Sequence, residues 1–242
     1  MRIPARIVDA HHHLWDLSHC HYPWLMERGV VRFFGDPAPI QRDYLVEDLR
    51  SDFGDLPIEK SVHIQVGVAL EDSLKETRWL QSCADTSGLP NAIVAFADLT
   101  APDFAEILDQ HAQSSAFRGV RQIVGRSAEE DAKTGTNTLL GDPAFATGLQ
   151  ELARRDLSFD LQLTPPLMRE AAKVFGAVEG LKVALCHAGS PSDFSEEGLA
   201  HWREGLVALA DDPGALCKLS GFGKINHAWD VDHVRPLILT AI

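Results

Sequence analysis

Residues 9–16 read Asp-Ala-His-His-His-Leu-Trp-Asp and follow the apolar pair Ile7-Val8. On a strand, side chains alternate between faces, so Asp9, His11 and His13 share one face and His12 points the other way. Two imidazoles two residues apart can converge on one ion or one substrate oxygen. At the C-terminal end of a strand they sit where α/β enzymes build their sites. Asp9 is placed to orient a histidine from behind. The plain alternative is a polar strand end with three solvated histidines. A further histidine, His187, closes the apolar run Lys182–Cys186 just before Ala-Gly-Ser-Pro. His11, His13 and His187 together supply the three ligands of a catalytic zinc site with one position open for water, whose pKa the metal lowers. Without metal, the same histidines polarise a carbonyl directly, with His187 as general acid or base. Spacing does not separate these options. Arg121, in Arg118-Gly-Val-Arg121-Gln122, offers a planar fork for a substrate carboxylate or carbonyl. Its alternative is an interior ion pair with Asp160 or Asp98.

These residues need a scaffold, and the hydrophobic pattern supplies one. β-Prone segments fall near Ile7–His12, Ser61–Val66, Ala92–Asp98, Arg118–Val124, Ser158–Leu163, Lys182–His187 and Leu216–Ser220. Amphipathic helical patterns lie between them, over Asp72–Ala84, Asp103–Gln113, Pro143–Arg154, Pro166–Val178 and Glu196–Ala210. Alternating strand and helix implies a parallel sheet, either doubly wound or a (β/α)8 barrel. Helix-to-strand connections are short. Strand-to-helix segments are long and polar, notably Asp16–Glu47, Gly125–Gly141, Gly189–Glu196 and Gly221–Asp232. Long segments after parallel strands fit an active-site mouth. The aromatic residues of the first (Tyr22, Trp24, Phe33, Phe34) suggest an ordered lid or pocket wall, with surface packing as the alternative.

The 242 residues are 45% apolar and 24% charged, ordinary for a soluble globular chain able to bury a substantial core. A formal net charge of −13, with no dense basic cluster, argues against nucleic-acid and anionic-membrane partners. No apolar run spans a bilayer and no secretory h-region opens the chain. Cys20, Cys83, Cys186 and Cys217 form no CxxC pair, which fits a reduced, cytoplasmic compartment. Oligomeric state is not legible.

Taken in order, VDAHHHLWD (8–16), YPWL (22–25), HIQVG (63–67), FADL (96–99), FRGVRQ (117–122), FDLQL (159–163), LCHAGSP (185–191) and CKLSGF (217–222) resemble the amidohydrolase-related (amidohydrolase 2) family. Within it the chain is similar to the sugar lactonases and the pyrone- and muconolactone-type lactonases, from Ile7 to about Trp229. The resemblance implies a single TIM (β/α)8-type barrel domain over residues 1–242. It also implies hydrolysis of a small lactone by activated water at the C-terminal mouth. His11, His13 and His187 match the site histidines, which in relatives hold a divalent metal, zinc foremost, or work without one. Arg121 matches a substrate-pocket position. Trp15 and Gln65 match positions with no assigned role. The family's eighth strand, with a general-base aspartate in a segment like FGSDWP, is not among these residues, so a C-terminally incomplete barrel is expected. A metal-dependent decarboxylase and a non-catalytic truncated barrel are the competing readings.

Overall fold

The computed structural model describes residues 4–32, 35–222 and 230–242. Its strands are β1 (Ile7–His12), β2 (Ile58–Ile64), β3 (Ala92–Ala95), β4 (Phe117–Ile123), β5 (Ser158–Gln162), β6 (Lys182–Leu185) and β7 (Ala215–Cys217). The helices are α1 (Pro23–Met26), α2 (Val46–Phe53), α3 (Ser73–Ser87), α4 (Phe104–His111), α5 (Ala128–Thr134), α6 (Pro143–Arg154), α7 (Met168–Gly176), α8 (Glu196–Ala210) and α9 (Val231–Ala241). Strand order follows chain order from β1 to β7. The pairs β1–β2, β2–β3, β5–β6 and β6–β7 run parallel. The expected α/β class is therefore what the chain adopts. Its backbone groups into two compact units, Met1–Ala97 with Glu106–Gly119, and Asp98–Ala105 with Val120–Ile242.

Local chemistry sets the element ends. Asp142 accepts from the Ala144 N–H at 2.8 Å and Pro143 opens α6, where the missing donor costs nothing. Ser195 caps α8 by accepting from the Gly198 N–H at 3.1 Å. The long strand-to-helix segment Gly125–Gly141 contains a helix of its own, α5. Its signal is Ser127-x-x-Glu130, with the Ser127 hydroxyl accepting from the Glu130 N–H at 3.3 Å. In the first unit, Trp15 and Tyr44 exchange backbone hydrogen bonds at 3.0 Å each way and tie down the segment after β1. Tyr22 and Leu25 are fully buried there, packed with Trp15, Cys20, Val66 and Val68. The described part of the aromatic segment is thus packed into the first unit; Phe33 and Phe34 lie outside the described residues.

The second unit's core is built on Phe145 of α6, Phe159 of β5 and Phe175 of α7, whose ring centroids stand 5.4–6.4 Å apart. Helix α6 lies against the segment after β3 at Gly148. A Cβ there meets the Leu99 carbonyl oxygen at 2.6 Å and the Leu99 Cβ at 2.8 Å. On helix propensity alone Gly→Ala stabilises by about 1 kcal/mol. Against an unyielding backbone carbonyl the clash wins, so Gly148→Ala is expected to destabilise by about 1–3 kcal/mol. A lower urea midpoint with unchanged m-value is the readout; a raised midpoint overturns the packing argument.

Candidate active site

In the first unit the histidine run sits on an irregular strand. Asp9 stands opposite Ser61 and His12 opposite His63, so three residue steps of β1 face two of β2. That bulge interrupts the simple alternation expected through Ile7–His13. Asp9 Oδ1 accepts from the His11 N–H at 3.1 Å and so braces the bulge through the main chain. His12 turns inward, bonded to Ser61 Oγ at 3.0 Å and edge-on to the His63 ring. Burial pulls its pKa down to about 4, outweighing the nearby Asp9 charge, and keeps it neutral. The His11 and His13 rings lie side by side, with centroids 5.1 Å apart and planes nearly perpendicular. His13 Nδ1 is 2.7 Å from the Ile64 carbonyl oxygen, which can only accept. Nδ1 therefore carries a hydrogen and donates it. His63 takes the opposite tautomer, because its Nδ1 accepts from the Leu14 N–H at 3.1 Å. Gln65, just past β2, accepts from the Gly67 N–H at 2.6 Å.

A buried histidine of another kind joins α3, α4 and β3. His111 Nε2 donates to the Phe96 carbonyl at 3.1 Å, Nδ1 lies 2.9 Å from Thr77 Oγ1, and the ring stacks on Phe117. Burial lowers its pKa to about 4. It is a structural link rather than a reactive group.

The second unit carries His187. The sequence reading makes it the last residue of its strand, but β6 ends at Leu185 and His187 lies in the turn beyond. The physical reason is a run of left-handed residues, His187 (φ 55°), Ala188 (φ 50°), Gly189 (φ 73°) and Ser190 (φ 51°). Each non-glycine residue held this way costs roughly 1–2 kcal/mol. Neighbours hold the turn. The Ala188 N–H donates to the Lys218 carbonyl at 2.9 Å, and buried Trp202 donates from Nε1 to the Ala188 carbonyl at 2.7 Å. His187 Nδ1 lies 3.0 Å from Ser220 Oγ.

Around the ends of β4, β5 and β7 stands a buried polar set. Lys218 forms an ion pair with Asp160, whose side chain is 2% exposed. Burial pushes the Asp160 carboxyl up from its ordinary value while Lys218 and Arg121 pull it down. Arg121, itself buried, donates to Gln162 Oε1 at 3.0 Å and feels the Asp160 charge. Asp98, the other suggested partner, accepts from Thr100 and Gln122. The Cys186 thiol, also against Asp160, is pushed up to about 12 by burial, which disfavours a thiolate nucleophile. Lys218 and Ser220 were visible in sequence only as polar residues ending an apolar strand, and nothing there assigned them partners.

In His13 and His187 the Nδ1 atom has a neighbour, the Ile64 carbonyl and the Ser220 hydroxyl respectively. Among the described residues, however, no three His, Cys, Asp or Glu side chains are grouped to hold a metal ion. Taken singly, the described donor sets of the two units do not complete a metal centre.

The amidohydrolase family profile matches residues 8–242. The chain belongs to the amidohydrolase family. It is 38% identical over 242 residues to the uncharacterized protein y4mH of Sinorhizobium fredii, covering 98% of this chain and 80% of that one. It is 25% identical over 214 residues to an L-fucono-1,5-lactonase of Burkholderia ambifaria, covering 88% and 67%. The crystal structure of an amidohydrolase from Burkholderia multivorans with bound zinc superimposes with a TM-score of 0.77 at 26% identity, covering 97% of this chain and 78% of that one. Among the described residues, no helix of this amidohydrolase is long and apolar enough to cross a membrane.

His111 gives the first unit a testable pH dependence. Its folded pKa of about 4 lies below the ordinary 6.5, so the unfolded state binds the proton first as pH falls. Stability from His111 is full above pH 6.5 and is lost between there and about pH 4, by at most about 3 kcal/mol. In thermal unfolding, His111→Gln is expected to be less stable at pH 7 and to lose less than wild type on acidification. Parallel pH curves for the two proteins contradict the assignment.

Proposed function

We propose that this amidohydrolase opens a small lactone by activated water. The site would lie at the C-terminal mouth of a TIM-type (β/α)8 barrel, in cytoplasmic carbohydrate catabolism. The observation that carries the reading is His187, an imidazole held by a strained turn beyond a parallel strand in a chain matching the family from residue 8 to 242. Relatives named as L-fucono-1,5-lactonases point to a sugar lactone as the substrate class.

The chemistry needs one base and one stabiliser of oxygen charge. His187 Nε2 takes a proton from water as its oxygen bonds to the acyl carbon. The endocyclic C–O bond then breaks, and the ring oxygen leaves with that proton. The product is a hydroxy acid, which ionises. Arg121 holds the carbonyl oxygen or the nascent carboxylate through its guanidinium. Gln162, which accepts from the guanidinium, and the nearby charge of buried Asp160 keep that side chain in place.

His187→Ala is expected to lower kcat on L-fucono-1,5-lactone at least about 100-fold, and Arg121→Lys to raise KM about 10-fold. Acid release against a pH indicator measures both. Wild-type turnover by His187→Ala removes the assignment, and reaction with aromatic carboxylates but no lactone favours the decarboxylase reading.

A second reading, favoured by the zinc-bound relative, has His11, His13 and His187 as ligands of a divalent cation. Bound zinc would supply a water of lowered pKa and polarise the carbonyl. Equilibrium dialysis is expected to show one zinc per chain, weakened by His13→Ala; retention unaffected by His11→Ala, His13→Ala or His187→Ala rules these ligands out.

A further inference from the structure

We propose that Ser220 is the positioning residue that sets the tautomer and angle of His187, with Gly221 leaving the room that this arrangement needs. The proposal rests on the reading of His187 as the base and deepens it. A base must present an unprotonated Nε2, so Nδ1 must carry the hydrogen and donate it. The acceptor at hand is Ser220 Oγ, 3.0 Å away. A hydroxyl both donates and accepts, so this contact alone permits either tautomer. Catalysis selects the one in which Nδ1–H donates to Oγ.

Three features build the contact. The Lys218 N–H donates to the Leu185 carbonyl at 2.8 Å and the Lys218 carbonyl accepts from Ala188. Parallel pairing of the two chain segments thus continues beyond the last residues of β6 and β7 and carries Ser220 to the level of the turn. The left-handed conformation of His187 and Ala188 then turns the imidazole toward Ser220. Finally, Gly221 has φ 74°, and a Cβ there would lie 2.5 Å from His187 Nδ1 and 2.7 Å from Cγ. Any side chain at 221 would push the ring off its hydrogen bond. The Ser-Gly pair is therefore one device, a hydroxyl that holds the ring and an absent side chain that admits it.

The experiment compares wild type with Ser220→Ala and Ser220→Thr. Long-range nitrogen–proton NMR of 15N-histidine-labelled protein, with His187 assigned from His187→Ala, reads the tautomer without reference to turnover. Wild type and Ser220→Thr are expected to show His187 protonated at Nδ1, and Ser220→Ala to shift population toward the Nε2–H form. On L-fucono-1,5-lactone, Ser220→Ala is expected to lower kcat about 10-fold with KM within twofold, and Ser220→Thr to restore most of it. A wild type already protonated at Nε2, or a Ser220→Ala variant keeping the Nδ1–H form and full kcat, overturns the proposal. An unchanged kcat in His187→Ala defeats the catalytic reading instead, while the tautomer comparison still reports whether Ser220 positions the ring.

Discussion

Leu161, Leu185 and Cys217 stand level with one another across three parallel strands, as do Asp160, Ala184 and Leu216 one step earlier. That register is the constraint on which the second unit's chemistry depends. Once it is set, Asp160 has Lys218 within reach, Cys186 comes against the same carboxylate, and the backbone of Lys218 locks onto Leu185 and Ala188. A one-residue slip would send Asp160 to the opposite face and strand a buried charge. Breaking such a buried pair costs several kcal/mol, far more than an exposed pair contributes. The ion pair is therefore better viewed as a device that makes the register unique than as a source of net stability.

The histidines show how environment divides one residue type into several tasks. His12 and His111 are buried, neutral and bonded on hydroxyl or carbonyl oxygens. His63 receives a backbone N–H, whereas His13 gives its Nδ1 hydrogen to a carbonyl. Opposite tautomers in neighbouring rings mean that the site region is specified by the main chain of β1 and β2 as much as by its side chains.

Helix and strand existence was legible in the sequence, because period and capping signals are local. Pro143–Arg154 and Glu196–Ala210 match their helices end to end, the first of them announced by Asp142-Pro143. The strand ends were not legible. Gln65-Val66 after β2 and Cys186-His187 after β6 read as continuing strands, yet the chain leaves the sheet at Ile64 and at Leu185. Those exits depend on contacts far away in sequence, such as Trp202 on the Ala188 carbonyl and Lys218 on Leu185. The same holds for the bulge in β1, where an Asp-Ala-His-His-His run gives no local sign that Asp9 will bond the His11 N–H. Of the candidate site, the histidines and Arg121 were readable as residue types in place. Lys218, Ser220 and Gly221 were not, because their partners are set by register and a left-handed turn.

The turn from His187 to Ser190 also bears on how the molecule meets a small guest. An imidazole on an ordinary extended strand samples several rotamers, and a guest that needs one of them must select it at the expense of affinity. Here the backbone conformation, the Ala188 clamps and the Ser220 contact limit that sampling during folding itself. The ring is preorganised, and reorganisation on encounter is small. Under the proposed function, a lactone beside His187 would direct its interaction energy to its own distortion rather than to ordering the protein.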